Sequence, residues 1–178
     1  HADVKRMLLF QRAVIEGAQS LLMQCSKLVD FQKVLEGEAK EKNYLLLEIL
    51  TPVAKSYPSE MGIQSISQGL QCLGGSGYCD DYPLEQYYRD CRIHPIHEGT
   101  TGIQGLDLLG RKVIMHDGQA FRLYVDEVQS AISAARKLPG LEMLADELGK
   151  TLTSLQEVTR HLVSIARQQG PEAFLADA

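Results

Sequence analysis

Apolar residues recur at intervals of three, four and seven along almost the whole chain, and no stretch longer than four residues alternates convincingly at period two. A repeat near 3.6 puts side chains on one face of a helix, whereas a half-buried strand needs a repeat of two. The sequence therefore predicts an all-α fold with essentially no sheet. Over residues 4–29, Val4, Met7, Leu8, Val14, Ile15, Ala18, Leu21, Leu22, Cys25, Leu28 and Val29 read as one apolar stripe. Lys5, Arg12, Glu16 and Gln19 fall on the opposite face.

Prolines and glycines divide the rest. Gly37 closes a linker, and Ala39 to Ile49 resumes a helical pattern. Pro52 is expected to break or kink that helix, because its ring clashes with the preceding turn. Pro58-Ser59 reads as a stop followed by an N-cap, opening a third helix through Met61, Ile63, Ile66, Leu70 and Leu73. That helix should end at Gly74-Gly75. Pro83 suits the start of a short helix running through Arg92, since a first-turn N–H has no helical partner to lose. Pro95 ends it, leaving residues 93–99 non-helical. Ile103, Leu106, Leu109 and Val113 form another helical stripe. Phe121, Val125, Val128, Ile132 and Ala135 then lead to a turn at Leu138-Pro139-Gly140. Beyond it, Leu141, Leu144, Leu148, Leu152, Leu155, Val158, Leu162 and Ile165 approach a heptad seam. Two long antiparallel helices over 117–169, closed by Gly170-Pro171, are the expected arrangement.

The formal charge of −5, with no basic run longer than pairs such as Lys5-Arg6, argues against nucleic acid, which needs clustered cations. The longest apolar run, Tyr44–Leu50, is too short to span a bilayer and already carries Glu48. Cys25, Cys72, Cys79 and Cys91 form no C-x-x-C pair, and no signal peptide is visible, which together suggest reduced thiols in a cytoplasmic protein. A chain that starts at His1, with helical periodicity already running at Val4, reads as a piece of a longer protein.

Two segments carry chemistry. In Gly74-Gly75-Ser76-Gly77, bare backbone N–H groups can meet an anionic or ribosyl group, although the same glycines also suit a helix C-cap and turn. Glu98, between a proline-bearing loop and Gly99, has the setting of a positioned general base; the alternative is a solvated loop carboxylate. A zinc site built on His94, His97 and His116 is disfavoured, because Pro95 interrupts the helical spacing and no cysteine pair sits at ligand distance. A Cys91–His94 nucleophile is equally weak, since Cys91 belongs to a helical face.

Gln71-Cys72-Leu73-Gly74-Gly75-Ser76-Gly77-Tyr78, then Pro83 and Arg89-Asp90, then Ile96-His97-Glu98-Gly99-Thr100-Thr101-Gly102-Ile103-Gln104 resemble the carboxy-terminal signature of the flavin-dependent acyl-CoA dehydrogenases. The close match covers about fifty residues, and the ordered spacing of several motifs is more specific than any one of them. The tail beyond Gly110-Arg111-Lys112 resembles the larger members, including those acting on methylthiopropionyl-CoA-type substrates, which carry an extra helical carboxy-terminal domain.

The resemblance implies a helical bundle over residues 1–113 and the start of the additional helical domain over 114–178. It implies FAD as cofactor and an acyl-CoA as substrate. Glu98 stands where the family's base removes the α-proton while the β-hydrogen leaves as hydride to the flavin. The Glu98 N–H, with a flavin ribityl hydroxyl, is implied to hold the thioester oxygen, and Gly99 to let the acyl chain pass. Thr100, Thr101 and Gly102 stand where the family contacts flavin. Gln71, Gly74 and Gly75 stand where one subunit reaches the adenosine diphosphate part of its neighbour's flavin. Electron-transferring flavoprotein as acceptor and a homo-oligomer, dimer or tetramer, follow from the family. Two departures are His97, where the family has Tyr, and Gly102, often a polar position. The isolated segment is expected to be inactive and to bind FAD weakly or not at all. The rival readings are a helical assembly module without chemistry, and a relative acting on a non-thioester substrate such as a nitroalkane or damaged nucleic acid, the latter disfavoured by the acidic charge.

Overall fold

The structure, a computed structural model, describes residues 1–170 and 173–174. Among these residues there is no strand; the elements are α1 (Ala2–Val34), α2 (Gly37–Leu73), a 3₁₀ turn (Gly74–Tyr78), α3 (Leu84–Cys91), α4 (Thr101–Asp107), a π turn (Leu108–Lys112), α5 (Met115–Ala135) and α6 (Glu142–Gln169). The all-α expectation holds. The expected stop at Pro171 lies outside the described residues. The chain separates into two compact units, residues 1–104 and 105–178. The division falls earlier than the 113/114 boundary read from the sequence, inside α4.

In the first unit α1 and α2 form an antiparallel hairpin: Arg6 reaches Gln68, and Gly17 faces Tyr57. Met7, Val14 and Leu28 of α1 are buried with Leu45, Leu46, Ile49 and Pro52 of α2. The single stripe read on α1 is in fact two faces. Leu8, Ile15, Leu22 and Val29 lie one position round from the buried set and are exposed. A 33-residue helix with one long neighbour buries only the face turned toward it.

The prolines do not divide α2. The break expected at Pro52 and the stop and N-cap expected at Pro58-Ser59 are both absent, and one 37-residue helix runs through them. An interior proline costs about 3 kcal/mol by removing a donor and crowding the carbonyl four residues back. Here Pro52 is fully buried, so its ring contributes to the core. Thr51 and Ser59, each next to a proline, donate from their hydroxyls to the Leu47 and Lys55 carbonyls at 2.7 and 2.6 Å. Ser59 thus braces the preceding turn and caps nothing.

α3 follows Pro83 as expected and packs on α2, where Gly69 makes room: a Cβ there would meet Leu84 Cδ1 at 3.3 Å. The stripe from Ile103 to Val113 is not one α-helix. After Asp107 the backbone widens, and the Val113 N–H donates to the Leu108 carbonyl at 2.9 Å, five residues back. Lys112 and Val113 are both buried at this point. His116, Asp117 and Gly118 then adopt φ of 50, 55 and 81°, so the regular part of α5 begins after them.

α5 and α6 run antiparallel about the expected turn, with Gly140 at φ 84° and Arg136 paired to Asp146 at 2.9 Å. Val125 and Ile132 pack against Leu152 and Ala145. Leu162, Ile165 and Phe174 form a second cluster. The leucine seam is only partly core: Leu152, Leu162 and Ile165 are buried, whereas Leu144, Leu148, Leu155 and Val158 are exposed. Small Ala145 and the braced Thr159 are buried, whereas Leu144 and Val158 beside them are exposed.

Candidate active site

Between α3 and α4 the chain folds into a knot of short-range bonds. The His97 N–H donates to the Ile93 carbonyl at 3.1 Å, and the imidazole Nδ1 lies the same distance from that oxygen. Pro95 is buried, and its carbonyl accepts the Thr101 N–H at 3.2 Å. The loop is also tied to α2, where the Lys55 ammonium donates to the His94 carbonyl at 2.7 Å. Residues 93–99 are non-helical, as the prolines and glycines predict.

Glu98 sits at the apex with φ of 51°, in the left-handed region that side chains other than Asn, Asp and His rarely occupy. Gly99 follows at φ 94°, and a Cβ on it would meet Gln104 Nε2 at 2.5 Å. The left-handed conformation therefore favours glycine, whereas the Gln104 amide, at the end of a flexible side chain, can swing aside. Thr100 caps α4: its hydroxyl oxygen accepts the Ile103 N–H at 3.3 Å, and its carbonyl accepts the Gln104 N–H at 3.0 Å. The Thr101 hydroxyl donates to the Glu60 carboxylate at 2.6 Å. Within this frame the Glu98 carboxylate and backbone N–H have no partner among the described residues. Glu98 thus presents an exposed, unpartnered carboxylate from a strained backbone, on a loop tied down through His94, His97, Thr100 and Thr101.

The second candidate segment lies at the end of α2. Gly74 is the C-cap, at φ 62° and ψ −143°, and its N–H donates to the Gln71 carbonyl. The glycines differ in their reasons. Gly77 is buried, and a Cβ there would lie 2.7 Å from the Leu70 carbonyl oxygen, so packing requires it. Gly75 has no positive φ, and a Cβ added to it would find no atom within 4 Å; one on Gly102 would meet only Thr100 Oγ1 at 3.9 Å. Nothing inside the chain demands glycine at 75, which leaves bare backbone facing outward beside exposed Gln71 and Tyr78.

The two segments are not one pocket. Glu60, which holds Thr101, and Gln71 are eleven residues apart on α2, or about 16 Å of helix axis at 1.5 Å per residue. Glu98, Gly99, Thr100, Thr101 and Gly102 thus form one patch, and Gln71, Gly74 and Gly75 another. The Thr101 O–H is committed to Glu60, whereas Thr100 only accepts, from the Ile103 N–H, and keeps its own O–H as a donor. Sequence reasoning does not find Lys55, Glu60 and Gln104, the groups that hold the loop. Lys55 and Glu60 act across 39 and 41 residues, a distance at which spacing carries no signal; Gln104 stands out in the sequence only as the end of a motif. His94 and His97 pack with ring centroids 5.4 Å apart, and no group of three or more His, Cys, Asp or Glu converges among the described residues.

The fold and the loop define a helical domain that offers one free carboxylate from a pinned, glycine-flanked turn and bare backbone from a second turn. The family profile described as acyl-CoA dehydrogenase, C-terminal domain, matches residues 1–114. The chain belongs to the acyl-CoA dehydrogenase family. It is 33% identical over 175 residues to 3-methylmercaptopropionyl-CoA dehydrogenase of Ruegeria pomeroyi, covering 98% of this chain and 30% of that protein. It is 32% identical over 173 residues to the broad-specificity linear acyl-CoA dehydrogenase FadE5 of Mycobacterium tuberculosis, covering 95% and 28%. The crystal structure of Caenorhabditis elegans ACDH-11 in complex with C11-CoA superposes with a TM-score of 0.73 at 25% identity, over 85% of this chain and 25% of that one. The chain spans under a third of the length of these relatives.

Proposed function

We propose that the protein containing this chain is an FAD-dependent acyl-CoA dehydrogenase, converting an acyl-CoA thioester to the 2,3-enoyl-CoA with Glu98 as the base. The observation that carries this reading is the Glu98 loop: its carboxylate is unpartnered, its backbone is held in a strained conformation, and the residues around it are bonded to one another. One Glu98 carboxylate oxygen takes the α-proton, and charge moves from the α-carbon onto the thioester oxygen. The free Glu98 N–H is a donor available to that oxygen, as in an oxyanion hole. Gly99 leaves the approach to the base without a side chain. In this chain Glu98 is exposed, so the walls that exclude water come from other parts of the protein and from the bound ligands.

The outward glycine backbone fits a flavin contact. Gly74 and Gly75 leave space that a Cβ would fill, and Gln71 stands beside them with an exposed amide. We assign these three to the adenosine diphosphate end of a flavin held by a neighbouring copy, and Thr100, Thr101 and Gly102 to the flavin beside Glu98. FAD, when bound, supplies the acceptor for the β-hydrogen as hydride. The separation of the two patches along α2 supports their serving different ends of flavins, or two flavins. A homo-oligomer, dimer or tetramer, is supported by the exposed face of Leu8, Ile15, Leu22 and Val29. Electron-transferring flavoprotein is the acceptor proposed from the family. No described helix is long and apolar enough to cross a membrane.

The test is anaerobic titration of the full-length, flavin-loaded protein with a panel of acyl-CoA thioesters. Loss of the oxidised-flavin absorbance with at least one of them is expected, together with formation of the 2,3-enoyl product. A protein that holds no flavin, or whose flavin no thioester reduces, would leave the helical assembly module as the better reading.

A further inference from the structure

A left-handed non-glycine residue such as Glu98 costs about 1–2 kcal/mol, and it persists only where its surroundings over-determine it. Among the described residues Glu98 makes no bond of its own, so its position is set by the anchors on either side. On the amino-terminal side the anchors are the His97–Ile93 turn and the Lys55 ammonium on the His94 carbonyl. On the carboxy-terminal side the tie to α2 is the 2.6 Å bond from the Thr101 hydroxyl to Glu60.

We infer that Glu60 is a positioning residue for the base: its carboxylate, fixed on α2, holds Thr101 and thereby the Glu98–Gly99 turn in the geometry that proton abstraction requires. This rests on the assignment of Glu98 under the proposed function. Three features make Glu60 the decisive anchor. The bond is short, half-buried and charge-assisted, a combination stronger than a neutral pair. Thr101 is β-branched and stiff about χ1, so a fixed hydroxyl also fixes the backbone that bears it. Thr101 is also the first residue of α4, and its N–H closes the loop onto the Pro95 carbonyl, so a shift of Thr101 moves both ends of the turn. Lys55, by contrast, reaches a single carbonyl from the end of a four-carbon stem.

The experiment uses the full-length flavoprotein. Glu60→Ala should lower kcat by about 10- to 100-fold, the loss expected when a reacting group is misplaced by a fraction of an ångström to an ångström. Because Thr101 is also assigned to the flavin, some flavin is expected to be lost, and the rate is read per bound flavin; KM should be little changed. The α-deuterium isotope effect on the reductive half-reaction should rise, because C–H cleavage becomes more rate-limiting. A role confined to stability would lower the fraction of active enzyme without moving that isotope effect. Glu60→Gln keeps an acceptor for Thr101 and should recover most of the rate. Glu60→Ala combined with Thr101→Val should be no worse than the poorer single variant, since both break one bond. Independently of turnover, the His97 and Thr101 amides, which are hydrogen-bonded to the Ile93 and Pro95 carbonyls, should exchange faster in Glu60→Ala, with exchange along α1 unchanged.

An unchanged kcat and isotope effect in Glu60→Ala would overturn the inference, as would unchanged exchange of the His97 and Thr101 amides. If the wild-type protein is not reduced by any acyl-CoA, the proposed function fails, and the exchange measurement still decides whether Glu60 holds the loop.

Discussion

Replacing Gly75 by Ala separates a glycine kept for a ligand from one kept for the fold. The Gly75 backbone is not in the left-handed region, and an added Cβ meets nothing within 4 Å. No strain and no clash are therefore introduced. The methyl group restricts the unfolded chain, which stabilises the protein by about 0.4–1 kcal/mol where the native backbone accepts it. Two residues on, Gly77→Ala puts a Cβ 2.7 Å from the Leu70 carbonyl oxygen, 3.1 Å from Leu70 Cα and 3.0 Å from Leu73 Cβ. The first two atoms are backbone and cannot swing aside, so the turn must move, at a cost of about 1–3 kcal/mol. Gly74 is a less discriminating probe, because its φ of 62° makes any side chain there strained as well as bulky. In the full-length protein, thermal unfolding and flavin stoichiometry measured on the same samples should diverge. Gly75→Ala should keep or slightly raise Tm while weakening FAD retention, and Gly77→Ala should lower Tm. If Gly75→Ala holds flavin as tightly as wild type, the turn does not approach the cofactor, and the assignment of Gln71, Gly74 and Gly75 falls with it.

Three further outcomes are expected. Glu98→Gln should keep the fold and the flavin but reduce acyl-CoA oxidation by at least about 10²–10⁴-fold, since an amide cannot take the proton; stopped-flow flavin reduction measures this, and retention of half the rate would place the base elsewhere. Leu152→Ala should destabilise the α5–α6 unit by about 2–5 kcal/mol in denaturant titrations, because it empties a packed site against Val125, Ile132 and Ala145. Burial pushes the Cys25 thiol up, so at mildly alkaline pH it carries less thiolate than an exposed thiol. Timed alkylation with peptide mapping should find Cys79, which is exposed, labelled before Cys25; the reverse order would contradict the burial of Cys25.

Part of this protein is legible in its sequence alone. The repeat of three, four and seven sets which side chains share a helical face, and it excludes a sheet without reference to contacts. The turn at Leu138-Pro139-Gly140 and the loop around Pro95 follow from local backbone preferences of proline and glycine, which act within a few residues. The ordered Gly-Gly, Arg-Asp and Glu-Gly-Thr segments point to the family for the same reason: they are local and ordered along the sequence.

What needed the tertiary structure was every outcome decided between segments. Pro52 and Pro58 are helix breakers by local rule, yet α2 runs through both, because burial of Pro52 and back-bonding by Thr51 and Ser59 accompany a long packed helix. Periodicity names the apolar residues of α1 and α6 but not which of them meet a neighbour. Met7 is buried and Leu8 beside it is exposed, and Leu152 is buried while Leu155 is not. The glycines look alike as letters; only their surroundings distinguish Gly77, required by the Leu70 carbonyl, from Gly75, required by nothing inside the chain. Glu98 stands out through its flanking residues, whereas Glu60, forty-one residues from Thr101, has no local mark. A short-range pattern reports the conformation a segment prefers. A hydrogen bond such as that between Thr101 and Glu60 exists only after folding has brought distant backbone together, so its partners cannot be read from either segment alone.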